Sequence, residues 1–232
     1  MASSVKKRPR VGPKKPVRKP EAAHIRYLFY VFTLALGAVT FGSVVLLGIG
    51  AMSMQRASIA STVCLSLFFP FAVFSYLLYR GKNIDAIVEE LKISRKRITY
   101  KMIGIGIVLF FAVLLLEAGI SEFQQVTGVQ LPTNVSLVLG GFPVWVLAFT
   151  VLVAPINEEI LFRAFLVPRI GIVPSAILFG ILHAGYGSIA EIGGAFIYGL
   201  IAGYTFKKTD SLYPSIIGHI LVNALAVVAL IG

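Results

Sequence analysis

A chain of 232 residues, 57% hydrophobic and 13% charged, lies far from the balance of a soluble domain, and 21 Lys and Arg against 10 Asp and Glu leave a net charge of +11. That composition excludes a water-soluble globular enzyme and points to an all-α, polytopic transmembrane helical bundle. The single cysteine, Cys64, excludes a disulfide framework and a thiolate metal cluster.

Residues 1–26 carry nine of the 21 basic residues together with Pro9, Pro13, Pro16 and Pro20. Such a segment has too little apolar surface to fold, and it reads as a basic, disordered cytoplasmic tail that touches anionic lipid rather than nucleic acid. Residues 27–101 hold two uncharged stretches, Tyr27 to Met52 and Ala57 to Tyr79, each long enough to cross a bilayer. Behind them, Ile84, Ile87, Val88 and Leu91 alternate at helical spacing with Asp85, Glu89 and Glu90. This pattern predicts a short amphipathic helix on the cytoplasmic face, either a solvated connector or a platform for substrate. Residues 102–232 form the core of the reading. Met102 to Ser121 is a span interrupted by Glu117 near its outer end, and four shorter candidates follow near 143–164, 170–186, 190–206 and 212–231. About seven spans are expected.

Lys and Arg assign the sides. Seven lie between Arg80 and Lys101, none between Glu122 and Pro143, and Lys207 with Lys208 mark a further turn. The N-terminus is therefore expected in the cytoplasm and the C-terminus outside, with the Asn134-Val135-Ser136 sequon on an outer loop.

Within these apolar surroundings lie Glu158, Glu159 and Arg163, then Phe179 with His183, then His219 with Asn223. Ionisable groups at membrane depth mark function, and a separation of four residues puts each pair on one helical face. Glu159 precedes Arg163 in the favourable order for an ion pair, whereas Glu158 lies about 140° from Arg163 round a helix and is left free. Glu158 is the expected general base, with His183 holding or sharing its water. His219 and Asn223 offer donors for an oxyanion. No Ser-His-Asp set competes, because Asp occurs only at 85 and 210. Pro155, Pro168 and Pro174 break or kink helices around the glutamates, and Ala195, Gly199 and Gly203 let another helix approach closely.

The three ordered motifs, Glu158-Glu159-x-x-x-Arg163, Phe179-x-x-x-His183 and His219-x-x-x-Asn223, resemble those of the CAAX-protease and bacteriocin-processing family, also called Abi proteins. The resemblance covers residues 100 to 230. It implies an intramembrane, glutamate-dependent endopeptidase with Glu158, His183, His219 and Asn223 catalytic, Glu159, Arg163 and Phe179 supporting, and no metal. It also implies cleavage near the C-terminus of lipidated, CAAX-like or membrane-embedded peptides, or of unprenylated ones in bacteriocin maturation or immunity. The expected partners are membrane lipids and such a peptide, with no nucleic acid. Two other readings stand beside it. Glu158, Glu159, His183 and His219 offer zinc ligands, although Arg163 opposes a cation. The same buried acids and histidines also suit a proton-coupled transporter. One difficulty is depth: counted along their helices, His183 lies about 20 Å in and His219 only about 10 Å.

Overall fold

The computed structural model describes residues 23–129 and 135–231. Positions 1–22 of the expected tail, and Asn134 of the sequon, lie outside the described residues. Every regular element among the described residues is helical. In chain order these are α1 (Ala23–Gly48), α2 (Met54–Tyr79), α3 (Ile84–Glu90), α4 (Tyr100–Thr127), α5 (Val135–Leu139), α6 (Val144–Leu152) and α7 (Ala154–Glu159). A π-helical segment (Ile160–Leu166) leads into α8 (Val167–Ile170), α9 (Ile172–Leu182) with a 3-10 turn (His183–Tyr186), α10 (Ile189–Thr209) and α11 (Tyr213–Ile231).

Six runs are long and apolar enough to cross a membrane: α1, α2, α4, the interrupted stretch Val144–Ile170, α10 and α11. The expected seventh is present as the shorter apolar helix Ile172–Tyr186. The ends of the long helices are set by local chemistry. Ser53, Asn83, Thr99 and Ser188 each accept a backbone N–H from three residues on, relieving the orphan donors of a first turn. Gly128, at φ 71°, closes α4 in the left-handed conformation that glycine adopts without strain.

The amphipathic segment is helical as expected, but its apolar side meets protein rather than lipid. Ile87 and Leu91 are fully buried in a core with Leu77, Leu78, Val167 and Leu212. Its acidic side is tied down by ion pairs. Glu89 pairs with Lys96 and Arg97, and Glu90 with Lys82 and with Arg169 just before α9. Lys92 and Arg97 reach Asp210 in the turn between α10 and α11. The turns around residues 80–99, 166–171 and 207–212 therefore share one face of the bundle, called here the basic face. This is the grouping that the alternation of Lys and Arg requires.

Helix seams are made of small residues. A Cβ on Gly199 would stand 2.9 Å from the Ala176 Cβ and 3.0 Å from its Cα, and one on Gly203 would stand 2.9 Å from Ile172. The stripe Ala195, Gly199, Gly203 is thus the surface on which α9 lies. Gly106 and Gly218 do the same for α4 against α11. Helix α1 rests on α2 through Phe29 stacked on Phe74 and through paired hydroxyls, Thr33 with Ser75 at 2.9 Å and Ser43 with Ser61 at 3.3 Å.

Two outcomes follow from these contacts. Gly199→Leu overpacks the α9–α10 seam and should cost about 1–3 kcal/mol or more of stability, while Gly193→Ala, where an added Cβ meets nothing within 4 Å, should be neutral or slightly stabilising; thermal unfolding in detergent compares the two. Asp210 is pushed up by partial burial, but hydrogen bonds from Lys92 and Arg97 outweigh this and hold its carboxyl below its ordinary 3.8. A depressed carboxyl stabilises above its unfolded value and loses that contribution as pH falls through its folded one. The Tm deficit of Asp210→Asn should accordingly be present at neutral pH and shrink progressively as the pH falls below 3.8.

Candidate active site

The backbone that carries the two glutamates is irregular for reasons visible in the sequence. Val153, at φ −107°, breaks the run between α6 and α7, and Pro155 follows in the first turn of α7. Pro168 has no N–H to offer the Ala164 carbonyl, and its ring crowds that position. The preceding turns widen to π geometry, with the Val167 N–H donating to the Phe162 carbonyl five residues back. Ser175 of α9 donates to the same carbonyl at 2.6 Å. A π turn of this kind is frequent at functional sites.

Glu159 and Arg163 keep the expected pairing across this segment. Glu159 is 0% exposed and Arg163 1%, with Arg163 Nε 3.1 Å from Glu159 Oε2. The contact is an ion pair rather than a hydrogen bond, because the N–H lies off the line to the oxygen. Nη1 and Nη2 have no hydrogen-bond partner among the described residues. Aromatic faces take their place: the guanidinium carbon sits 4.1 Å from the Phe179 ring centroid and 5.2 Å from that of Tyr198. The other carboxylate oxygen of Glu159 meets His219, with Oε1 3.0 Å from Nδ1.

Glu158 points elsewhere. It makes no ion pair with Arg163, and the nearest cationic partner of its carboxylate among the described residues is His219 Nε2, at 3.8 Å from Oε2. Its side chain keeps 16% exposure. His219 therefore stands between the two carboxylates, with Tyr198 tilted against its ring at 4.9 Å and Phe179 edge-on at 5.8 Å.

His183 joins the cluster through Phe179. The two rings are 4.7 Å apart, and His183 Nδ1 lies 2.9 Å from the Phe179 carbonyl. A carbonyl only accepts, so Nδ1 carries the proton and Nε2 is left with a lone pair. On its other side His183 stacks on Tyr186 at 5.9 Å. Asn223 is on the expected face of α11, but one amide hydrogen is already committed, donated to the Thr150 carbonyl at 2.9 Å beside the helix break. Only its second N–H is left for a substrate.

The depth difficulty eases in the first turn of α11. Ser215 Oγ donates to the Ala202 carbonyl at 3.2 Å, so that turn stands level with Ala202, about two turns in from the basic end of α10. His219 thus starts about 7 Å further in than a count from Tyr213 gives. Sequence reasoning missed Tyr198, whose hydroxyl donates to the Ser215 carbonyl at 2.9 Å. Its signal was membership of a 3-4-4 buried set with Ala195, Ala202 and Phe206. It also passed over Asn157, buried ahead of the glutamates, whose amide donates to Ser66 of α2 at 3.2 Å. Among the described residues, no group of three or more His, Cys, Asp or Glu side chains is arranged to hold a metal ion.

The fold and this cluster describe a polytopic membrane protein with a buried carboxylate and histidine centre at its core. Residues 140–225, which contain all three motifs, match the model of the Rce1-like family, described as type II CAAX prenyl endopeptidase Rce1-like, and this is the family that the motif order resembles. The match spans less than half of the chain and supports, at the level of that family, a CAAX-type intramembrane endopeptidase. No curated protein and no solved structure matches the chain.

Removing the guanidinium tests the buried pair. Arg163→Met leaves Glu159 in an apolar site with only His219 beside it and should destabilise by about 3–5 kcal/mol. Arg163→Met combined with Glu159→Gln should recover most of that loss in detergent melts without recovering catalysis.

Proposed function

We propose that the chain hydrolyses a peptide bond of a lipidated or membrane-embedded substrate with water activated by Glu158. The observation that carries this is the unequal treatment of two adjacent carboxylates: Glu159 is sealed by Arg163 and His219, while Glu158 keeps exposure and has no guanidinium partner. A carboxylate so placed can take a proton and give it back.

Glu158 accepts a proton from water as the hydroxide attacks the substrate carbonyl. The negative charge then moves to the carbonyl oxygen. The second N–H of Asn223 and a proton on His219 Nε2 stabilise that oxyanion. The His183 Nε2 lone pair accepts a hydrogen bond from the water and orients it. As the tetrahedral intermediate collapses, the carbon–nitrogen bond breaks and Glu158 returns its proton to the leaving amine. Phe179 fixes His183, His219 and Arg163 at once. In this reading no metal takes part, the basic face is cytoplasmic, the N-terminus lies inside and the C-terminus outside.

The test is cleavage of a farnesylated C-terminal peptide by purified protein, with an unprenylated membrane peptide alongside. Glu158→Gln should lower kcat/KM by about 10²- to 10⁴-fold, and a zinc chelator should leave the wild type unchanged. Loss on chelation that zinc restores would transfer the chemistry to a metal. Proton flux in vesicles, lost in Glu158→Gln and without cleavage of either peptide, would make the protein a transporter.

A further inference from the structure

Helix α10 contributes no residue to the three motifs, yet its buried side carries a polar atom. The buried residues of α10 are Ala195, Tyr198, Gly199, Ala202, Gly203 and Phe206, and of these Tyr198 alone has a polar side-chain atom. A phenylalanine would fill the same space without bringing a hydroxyl into the core, where such a group costs free energy unless it is bonded. What the hydroxyl bonds is therefore informative.

It donates to the Ser215 carbonyl at 2.9 Å. Ser215 precedes His219 by four residues in α11, so this carbonyl is the one that receives the His219 N–H in the helix ladder. One turn along α10, the Ala202 carbonyl takes the Ser215 hydroxyl at 3.2 Å. The α11 turn that ends at His219 is thus held to α10 at two successive levels. The ring of the same tyrosine lies against the imidazole, with centroids 4.9 Å apart and planes at 50°. Tyr198 grips the backbone turn and the ring of His219 together.

The imidazole needs both holds. Its contact with Glu159, 3.0 Å from Nδ1 to Oε1, fixes one point of the ring and leaves it free to swing about that point. Nε2 would then sweep past Glu158, which it faces at 3.8 Å. Phe179 meets the imidazole edge-on and further off, at 5.8 Å and 87°, so the Tyr198 ring is the closer wall that sets its plane. Arg163 does not account for the tyrosine. Phe179 already covers the guanidinium at 4.1 Å against 5.2 Å for Tyr198, and neither contact uses a hydroxyl.

We propose that Tyr198 is a positioning residue for the reaction: its hydroxyl on the Ser215 carbonyl and its ring on the imidazole hold His219 Nε2 where the oxyanion forms. This rests on the reading of His219 as an oxyanion donor. Tyr198 touches no reacting atom, so its loss weakens the hold on the transition state and leaves peptide binding alone.

The test compares Tyr198→Phe, Tyr198→Leu and Ser75→Ala in the full chain. Ser75→Ala removes a hydroxyl pairing of equal length, with Thr33, between α1 and α2, neither of which carries a motif residue. Tyr198→Phe keeps the ring, leaves the Ser215 carbonyl its helix bond and creates no orphaned group, so it should melt close to the wild type. On whichever of the farnesylated and unprenylated peptides the wild type cleaves, its kcat should fall about tenfold or more with KM within about twofold. Tyr198→Leu should lose more. In protein with histidine labelled at the ring nitrogens, the magnetic resonance signals of His219 should shift in Tyr198→Phe by more than those of His183. Ser75→Ala should change neither kcat nor these signals. Wild-type kcat or unmoved His219 signals in Tyr198→Phe, a rise in KM in place of the loss in kcat, or an equal kcat loss in Ser75→Ala would each overturn the proposal. The signals are read without any turnover, so a Glu158→Gln chain that still cleaves would defeat the catalytic assignment of Glu158 alone.

Discussion

Glu159 and Arg163 are a carboxylate and a guanidinium with almost no exposure, in a protein whose surroundings supply no water to solvate either. Burying one such charge costs far more than a typical protein's net stability, and the pair is tolerable only if the geometry around it is complete. Here completion comes from three elements: His219 of α11 on one oxygen of Glu159, Phe179 of α9 on one face of the guanidinium, and Tyr198 of α10 against another. The charge pair therefore obliges α9, α10 and α11 to meet at one level. Convergence of the three motifs follows from the need to house one ion pair as much as from the needs of the chemistry, and the same packing leaves Glu158 as the less constrained acid.

The spans were legible because hydropathy and the absence of charge act locally. Tyr27 to Met52 was read where α1 and its C-terminal turn lie, and Ala57 to Tyr79 coincides with α2 from its second turn onward. The Glu159–Arg163 pair was legible because a separation of four residues survives even the π segment that follows. The docking of α3 was not, since Ile87 and Leu91 have the same periodicity whether lipid or protein covers them. Pro168 announced an irregularity without saying that the chain would widen rather than bend. Asn223 illustrates a harder limit. Its partner is a carbonyl 73 residues away, beside a break that Pro155 signals, and no spacing within α11 could reveal that one of its two donors is spent.

Ser66 and Asn157 extend this point to parts of the chain outside the family match. Residues 140–225 carry the motifs, yet the asparagine just ahead of Glu158 is held by a serine of α2, and Phe69 of α2 packs edge-on against Phe162 at 5.9 Å. The N-terminal helices thus brace the glutamate-bearing segment from behind, and its irregular backbone is embedded in protein rather than facing lipid, as unsatisfied backbone in a membrane must be.

The glycine seams have a mechanical meaning. Backbone packed on backbone, as at Gly199 on Ala176 and Gly218 on Gly106, leaves little side-chain slack, so α9 with α10 behaves as one stiff plate and α4 with α11 as another. The plates are pinned together near the basic face by Ser215 on Ala202 and Tyr198 on Ser215, which makes that end the axis of a book and the other end its open edge. His183 is printed on one page, His219 and Asn223 on the facing one. Their separation is then a single angular coordinate, set by the angle between two rigid boards about a fixed spine rather than by independent placement of four helices.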